Sequence, residues 1–514
     1  MAEFLYDCIV VGSGHAGSCA ALSAVESGCK RVLMIDKCPP EWVGGNGFFT
    51  AGAHRTVHGG LTDLLPLVRG VSTEVAARID MDSYTRDDFA GDILRLNGQQ
   101  QSDIHLVNVV VDDSRKTIDW LANSVGVPFV FSFHRQAYSV GGRQKFWGGM
   151  VLSVEEGGKG LIAAHQRALA KAGVEVWFNA SCQDIQVDEQ GKITGVVVQR
   201  NGRVDLTVRA PSVILAAGGF ESSPTLRSQY LGIEWQKAKV RGTPFNTGEV
   251  MRLATKLGAV MAGDLSGCHS TCWDANAADD SGDRELTNQY TKSGYPLGVM
   301  INAKGERFVD EGEDFRNYTY AKFGRAILHQ PGGYAFQVWD KKTIDMLRKE
   351  EYDDSIVKRI TALTPRQLAE ALVGEGLESV DTFLETLEEY NTCARDSQTA
   401  SPQKKWDPSV KDGVDAPTVI PRKSNWALPI DEAPFLAVKV ACGVTFTFGG
   451  LLIDPTTAGV MHQSGSPIPG LFCAGEMVGG LFYGNYPGGS GLTAGAVFGR
   501  RAGQSAAKMS AAER

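Results

Sequence analysis

Apolar and polar positions alternate along the chain with two different periods, and the changes of period mark its elements. Tyr6-Asp7-Cys8-Ile9-Val10-Val11 is a short apolar run. It leads into a glycine turn, a helix-compatible stretch over Ser18–Glu26 and a second apolar run, Arg31–Ile35. This order predicts strand, turn, helix, strand. Ile104, Val107, Val111, Ile118 and Leu121 recur at helical spacing, which predicts an amphipathic helix over 103–123 packed on a sheet. A further helix is expected over 159–173, ending near Gly173, and then short alternating strands at 174–179, 193–200 and 204–208. Asn201-Gly202 between the last two is a hairpin turn pair. Ser212-Val213-Ile214-Leu215-Ala216-Ala217 is almost continuously apolar, as a strand covered on both faces of a parallel sheet would be. A helix over about 247–258 stops at Gly258.

From about residue 263 the pattern changes. Polar loops, charged helical stretches at 341–359, 365–373 and 378–395, and a proline-dotted connector at 402–434 fill the region to about 445. The charged stretches are read as a solvated face. Residues 450–514 then return to strand, glycine loop and helix. The expected fold is α/β: a discontinuous Rossmann-like domain from 1–262 and 446–514, with an inserted α+β capping domain at 263–445. A chain of 514 residues is long enough for two cores.

Composition narrows the function classes. A net charge of −8 opposes binding to nucleic acid or anionic membranes, so neither is an expected partner. The ten cysteines are scattered, with no CxxC pair and no Cys/His array at metal spacing, so no metal site is expected and a reduced compartment fits best. The chain has no apolar run of the roughly 18 residues a membrane helix needs. The first strand follows the start of the chain without a basic and then apolar leader. A cytoplasmic location is expected.

Gly12-Ser13-Gly14-His15-Ala16-Gly17 is a GxGxxG fingerprint between strand and helix, and the second strand ends at Asp36-Lys37. Gly12 permits the tight turn, Gly14 lets backbone approach a pyrophosphate, and Gly17 allows helix and strand to pack closely, with Ala16 between them. The helix start offers unpaired N–H groups to phosphate, and Asp36 can accept from ribose hydroxyls. Three later features favour FAD over a nicotinamide dinucleotide. Gly44-Gly45-Asn46 supplies a second flexible turn, and Ala216-Ala217-Gly218-Gly219 ends the buried strand in small residues. Gly470-Leu471-Phe472-Cys473-Ala474-Gly475-Glu476 delivers an acid beside a glycine. It is followed by Gly488-Gly489-Ser490-Gly491-Leu492-Thr493 at the start of the last helix, where the helix dipole favours negative charge.

This combination resembles the fumarate reductase/succinate dehydrogenase flavoprotein superfamily, which also holds ketosteroid dehydrogenases and urocanate reductases. Two longer blocks are similar to its FAD-dependent tricarballylate dehydrogenases: Asn302–Glu311 continued by Asp314–Lys322, and Phe482–Gly491. The resemblance covers nearly the whole chain. It implies a cap over the flavin, a substrate at their junction, and hydride transfer at flavin N5 to or from a carbon next to a carboxylate or carbonyl. It also places Phe49 at or near the histidine that links flavin covalently in membrane succinate dehydrogenases, so FAD is expected to be noncovalent.

The resemblance further implies site residues. Arg316 matches the arginine that shuttles the proton, and His269 a substrate-binding histidine; Thr445 and Thr447 lie on the strand that carries substrate ligands. Tyr486 stands where the fumarate reductases carry a carboxylate-clamping arginine; a phenol cannot give bidentate, charged recognition, but it can donate to a carbonyl or carboxylate or act as a base if its pKa is lowered, so the proton is expected to be handled by Arg316 or Tyr486. Fumarate itself is therefore a poor candidate. The glutamate that relays protons in those enzymes has no match; Lys292 and Ser293 lie near its place, and Glu311, Asp314 and Tyr318 are neighbours of Arg316 in sequence. Tricarballylate-like dehydrogenation is the leading expectation and reduction of an activated alkene the alternative. Either would have a small carboxylate or carbonyl substrate and an unidentified electron acceptor or donor. A flavin-binding scaffold without activity is opposed by the arginine and tyrosine at the catalytic positions.

Overall fold

A computed structural model describes residues 6–98 and 102–513, so residues 1–5 of the N-terminal stretch read above lie outside it. The chain forms two compact units, one of Met1–Gly232, Gly242–Cys268 and Phe446–Arg514, the other of Ile233–Arg241 and His269–Thr445.

The first unit is built on a six-stranded sheet. Its order is Gly459–Met461, Pro467–Cys473, Val213–Leu215, Cys8–Val11, Val32–Ile35 and Glu175–Trp177. Five strands run parallel, with Ile9 level with Val213 and Leu33, and Val213 level with Leu471; Gly459–Met461 is an antiparallel edge. Three of these strands, Cys8–Val11, Val32–Ile35 and Val213–Leu215, are apolar throughout because both faces are covered. The helix His15–Glu26 packs along Ser490–Glu513, and Ile104–Trp120 packs on that last helix. Beside the sheet, Ala180–Val187, Ile193–Arg200 and Arg203–Arg209 form an antiparallel meander. Its turn residues Asn201 and Gly202 both have positive φ, as a two-residue hairpin turn requires.

The second unit centres on the long strand Phe435–Thr447, which pairs with Tyr334–Asp340; that strand in turn pairs with Val299–Asn302. Period-two alternation separates its two cores. Val299, Ile301, Phe336 and Val338 face Leu368, Leu372, Phe383 and Leu387 of the helices Pro365–Val373 and Val380–Ala400. Met300, Trp339, Leu436 and Val438 face Phe323 and Ile327 of the helix Arg316–Leu328, together with Tyr352.

Two expectations are corrected. The stretch 341–359 is not one helix but two four-residue turns, Lys341–Ile344 and Lys349–Tyr352. Nor is it wholly solvated: Glu351 and Tyr352 are buried, because Tyr352 belongs to the core and Glu351 pairs with Arg348. Residues 233–241, read with the first block, belong to the second unit. Lys239 and Val240 pair in parallel with Gly443 and Val444 of its long strand.

Candidate active site

In the first unit the predicted cofactor residues meet at the carboxyl ends of the parallel strands. Gly12 has φ +111, and a Cβ there would overlap the Ala216 carbonyl; a Cβ on Gly17 would overlap the Gly12 carbonyl. Helix, first strand and the Ala216-Ala217 end therefore close to backbone contact. Gly14 caps the helix in extended conformation without a side-chain cap, leaving the N-terminal N–H groups to a ligand. Gly45 lies against Gly14, and Gly475 against Ala16. Gly14, Ala16, Asp36, Lys37, Gly45, Asn46, Ala217, Gly218, Gly475, Glu476, Gly491 and Leu492 keep partial exposure while the residues around them are largely buried. A trough of small residues with a free helix start fits the dinucleotide of FAD.

Several predicted cofactor residues, Asp36 and Lys37 among them, have partners within the protein. Asp36 Oδ2 accepts from the Ser13 N–H and hydroxyl, both at 2.7 Å. Lys37 Nζ donates to Thr247 Oγ1 at 2.5 Å and Glu249 at 2.8 Å. Gly44 has φ +108, and its Cβ would meet Ile162. Ser490 Oγ donates to the Pro487 carbonyl, and Thr493 Oγ1 to the Arg55 carbonyl at 2.7 Å, so both hydroxyls anchor the start of the last helix.

His15 joins that anchoring. Its Nε2 is 3.0 Å from the Leu492 carbonyl and must donate, so its Nδ1 accepts from His165 Nε2 at 2.8 Å. Burial holds His15 down to about 4 and His165 well below the ordinary imidazole range. His54 and His58 are buried as well.

Also within the first unit, Tyr486 is packed edge-on against Phe446 at 5.1 Å and Phe482 at 5.3 Å, with Phe448 beside them. Thr447 is turned to Glu476, donating its N–H at 2.7 Å and its hydroxyl at 3.1 Å to Oε1.

In the second unit Arg316 is the first residue of its helix, after Phe315, with no side-chain cap and no acid in the first turn. A cation at that end opposes the helix dipole, a cost of roughly 0.3–1 kcal/mol. Arg316 Nη1 donates to Ser293 Oγ at 3.3 Å, Ser293 Oγ donates to Glu351 Oε2 at 2.5 Å, and Arg348 Nη1 pairs with Glu351 Oε1. Burial lowers Arg348 from the ordinary guanidinium range, partly offset by Glu351. Lys292, fully buried, donates to the Gln289 carbonyl at 2.9 Å and stands 3.7 Å from Asp274; burial brings it down to about 8. Glu311 is committed elsewhere, pairing with Arg307 and accepting from the Met300 N–H at 2.7 Å.

His269 is buried on the strand Cys268–Asp274, edge-on to Tyr320 at 4.8 Å. A Cβ at Gly324 would meet the Ser270–Thr271 backbone at 2.6 Å, so only glycine lets the helix of Arg316 settle against this strand. Burial, with the charge of Arg241 second, pushes His269 well below the ordinary imidazole range and keeps it neutral. Arg241 donates to Thr445 Oγ1 at 3.1 Å and to Asn288 Oδ1, with its guanidinium over Trp273. The second unit thus gathers Arg316, Ser293, Glu351 and Arg348 in one chain of contacts, and His269, Arg241 and Thr445 in a neighbouring group. Ser293, Glu351, Arg348 and Arg241 were not predicted as site residues. Ser293 alone had a signal, its position near the missing relay glutamate.

Comparison with known proteins identifies the family. Residues 7–492 match the FAD binding domain family. A protein of Shewanella frigidimarina (strain NCIMB 400), described as probable fumarate reductase Ifc3, is 28% identical over 507 residues, covering 97% of this chain and 74% of its own length. The urocanate reductase of Eggerthella lenta is 28% identical over 514 residues, covering 98% of this chain and 75% of its own. The open conformation of a flavocytochrome c3 fumarate reductase superposes with a TM-score of 0.69 at 26% identity, over 98% of this chain and 78% of that one. The chain belongs to the FAD binding domain family, as a member of the fumarate reductase/succinate dehydrogenase flavoprotein superfamily. It is an FAD-dependent oxidoreductase. Among the described residues no helix is long and apolar enough to cross a membrane.

Proposed function

We propose that the protein reduces a carbon–carbon double bond activated by a neighbouring carboxylate or carbonyl, with Arg316 delivering the proton. The observation that carries this reading is the path Arg316–Ser293–Glu351–Arg348. FAD held in the trough of the first unit would supply the hydride for one carbon. Arg316 gives a proton to the adjacent carbon, which completes addition of two hydrogens across the bond. An arginine is a poor acid on its own, because a guanidinium holds its proton far above neutral pH. Ser293 can return a proton to Arg316 as it takes one from the Glu351–Arg348 pair. Arg348, with its side chain 10% exposed, can recover that proton from solvent.

Neutral His269, Thr445 and Arg241 are suited to hold the oxygens of the activating group. Arg241 offers the charged fork that Tyr486 cannot. Tyr486 and its phenylalanine neighbours favour a substrate with apolar surface over fumarate.

The reductase direction draws support from the two relatives, both named as reductases. The reverse reading, tricarballylate-like dehydrogenation, rests on the resemblance of Asn302–Lys322 and Phe482–Gly491 to the tricarballylate dehydrogenases and uses the same residues in the opposite order. Anaerobic spectroscopy of the holoprotein tests both. Reoxidation of the dithionite-reduced protein by a panel of unsaturated acids and enones supports reduction. Bleaching of the oxidised protein by tricarballylate supports the reverse. A spectrum indifferent to both would remove the proposal.

A further inference from the structure

Glu221 and Glu476 follow adjacent parallel strands, whose register sets Leu215 level with Cys473, and their carboxyl groups meet in the first unit. Glu221 is fully buried. Its Oε1 accepts from Asn46 Nδ2 and Asn246 Nδ2, both at 2.6 Å. Glu476 Oε1 accepts from the N–H and hydroxyl of Thr447. One oxygen of each acid is thus satisfied as an anion would be. The other Glu221 oxygen, Oε2, meets no N–H and no hydroxyl among the described residues; the group that faces it is the Glu476 carboxyl. Two ionised carboxylates in contact repel strongly when one of them is fully buried, as Glu221 is, whereas a proton between them makes a short, charge-assisted O–H···O⁻ bond.

We propose that Glu221 and Glu476 share one proton, and that Glu221 is a positioning residue which keeps the FAD-binding loops assembled. Four segments converge on the pair. Asn46 belongs to the Gly44–Asn46 turn and accepts from the Thr243 N–H at 3.0 Å. Asn246, on the same 242–246 loop, accepts at its carbonyl from the Ser222 N–H. Glu221 closes the Ala217–Phe220 run, and Glu476 follows Gly475. Beside the pair, Arg227 Nη1 donates to the Glu221 backbone carbonyl. Each acid already takes two donors on one oxygen, so the shared proton lies between the two remaining oxygens. Burial raises both carboxyls, and for Glu476 the charge of Glu221 adds to it.

Shared-proton pairing makes a prediction that ordinary packing does not. A carboxamide can supply a permanent N–H where the shared proton lay, so Glu221→Gln and Glu476→Gln should each keep FAD. The double variant sets two N–H₂ groups face to face and should bind FAD at least about tenfold more weakly. The holoprotein itself should release FAD, read as flavin passing an ultrafilter, as the pH rises and the proton leaves; either single variant should hold FAD through the same range. Infrared spectra of the unmutated holoprotein should show a protonated-carboxyl band that disappears at alkaline pH. Double-variant affinity equal to that of the singles, pH-independent retention by the unmutated protein, or absence of the band would overturn the proposal. None of these measurements requires turnover.

Discussion

Ser293 gives both its backbone N–H, at 3.0 Å, and its hydroxyl, at 2.5 Å, to the same oxygen of Glu351. That double contact fixes a buried carboxylate one hydroxyl away from the guanidinium of Arg316. Glu351→Gln keeps the shape and removes the proton carrier. We expect kcat to fall about 10²-fold with KM nearly unchanged, measured by steady-state turnover with an activated alkene. Ser293→Ala should give a comparable loss.

Arg316→Lys keeps a cation but loses the planar fork that reaches Ser293. Turnover should fall by about 10³-fold, while flavin absorbance per protein stays at the unmutated level. An unaffected rate would take Arg316 out of the chemistry.

Gly12→Ala should yield colourless protein. The added carbon would press on the Ala216 carbonyl, which is backbone and cannot swing aside, at a φ that alanine rarely adopts. Absorbance of the purified variant near the flavin band is the check.

Five buried histidines predict acid sensitivity. His15 and His58 are held down to about 4, His54 to about 3, and His165 and His269 well below their ordinary value, in each case mainly by burial. With folded values below the unfolded 6.5, the unfolded chain binds more protons between those limits, so stability is full above about pH 6.5 and falls as pH drops toward 4. For His15 the loss is on the order of 3 kcal/mol. Denaturant unfolding at stepped pH should show midpoints falling through this window, and His165→Gln should flatten the slope.

FAD should come away from denatured protein. Phe49, buried and without a nucleophilic atom, stands where the resemblance puts a linking histidine. Acid precipitation should leave the yellow cofactor in the supernatant; colour retained on the pellet would contradict this.

The Rossmann unit was legible because its signals are local. A fingerprint of six residues sits between two apolar runs, and Ser212–Ala217 reads as a two-face-buried strand wherever it occurs. Glu351 and Arg348 were not legible, since in sequence they belong to a charged stretch indistinguishable from a solvated helix face. What buries them is the core residue Tyr352 beside them and the approach of Ser293, 58 residues away. Glu221 was hidden for a related reason: an acid after a strand looks like a surface residue until a second acid is found opposite it. Arg241 was missed because its segment lies among residues read with the other unit.

The chain passes from one unit to the other between Arg241 and Thr243. The Arg241 N–H is bound by the Val444 carbonyl in the second unit, and the Thr243 N–H by Asn46 in the first. Exchange of substrate preference between relatives by swapping the insertion would therefore need two excisions. A graft confined to the long middle piece would leave behind a nine-residue strip, and with it the guanidinium next to Thr445 and the parallel pairing that holds it there.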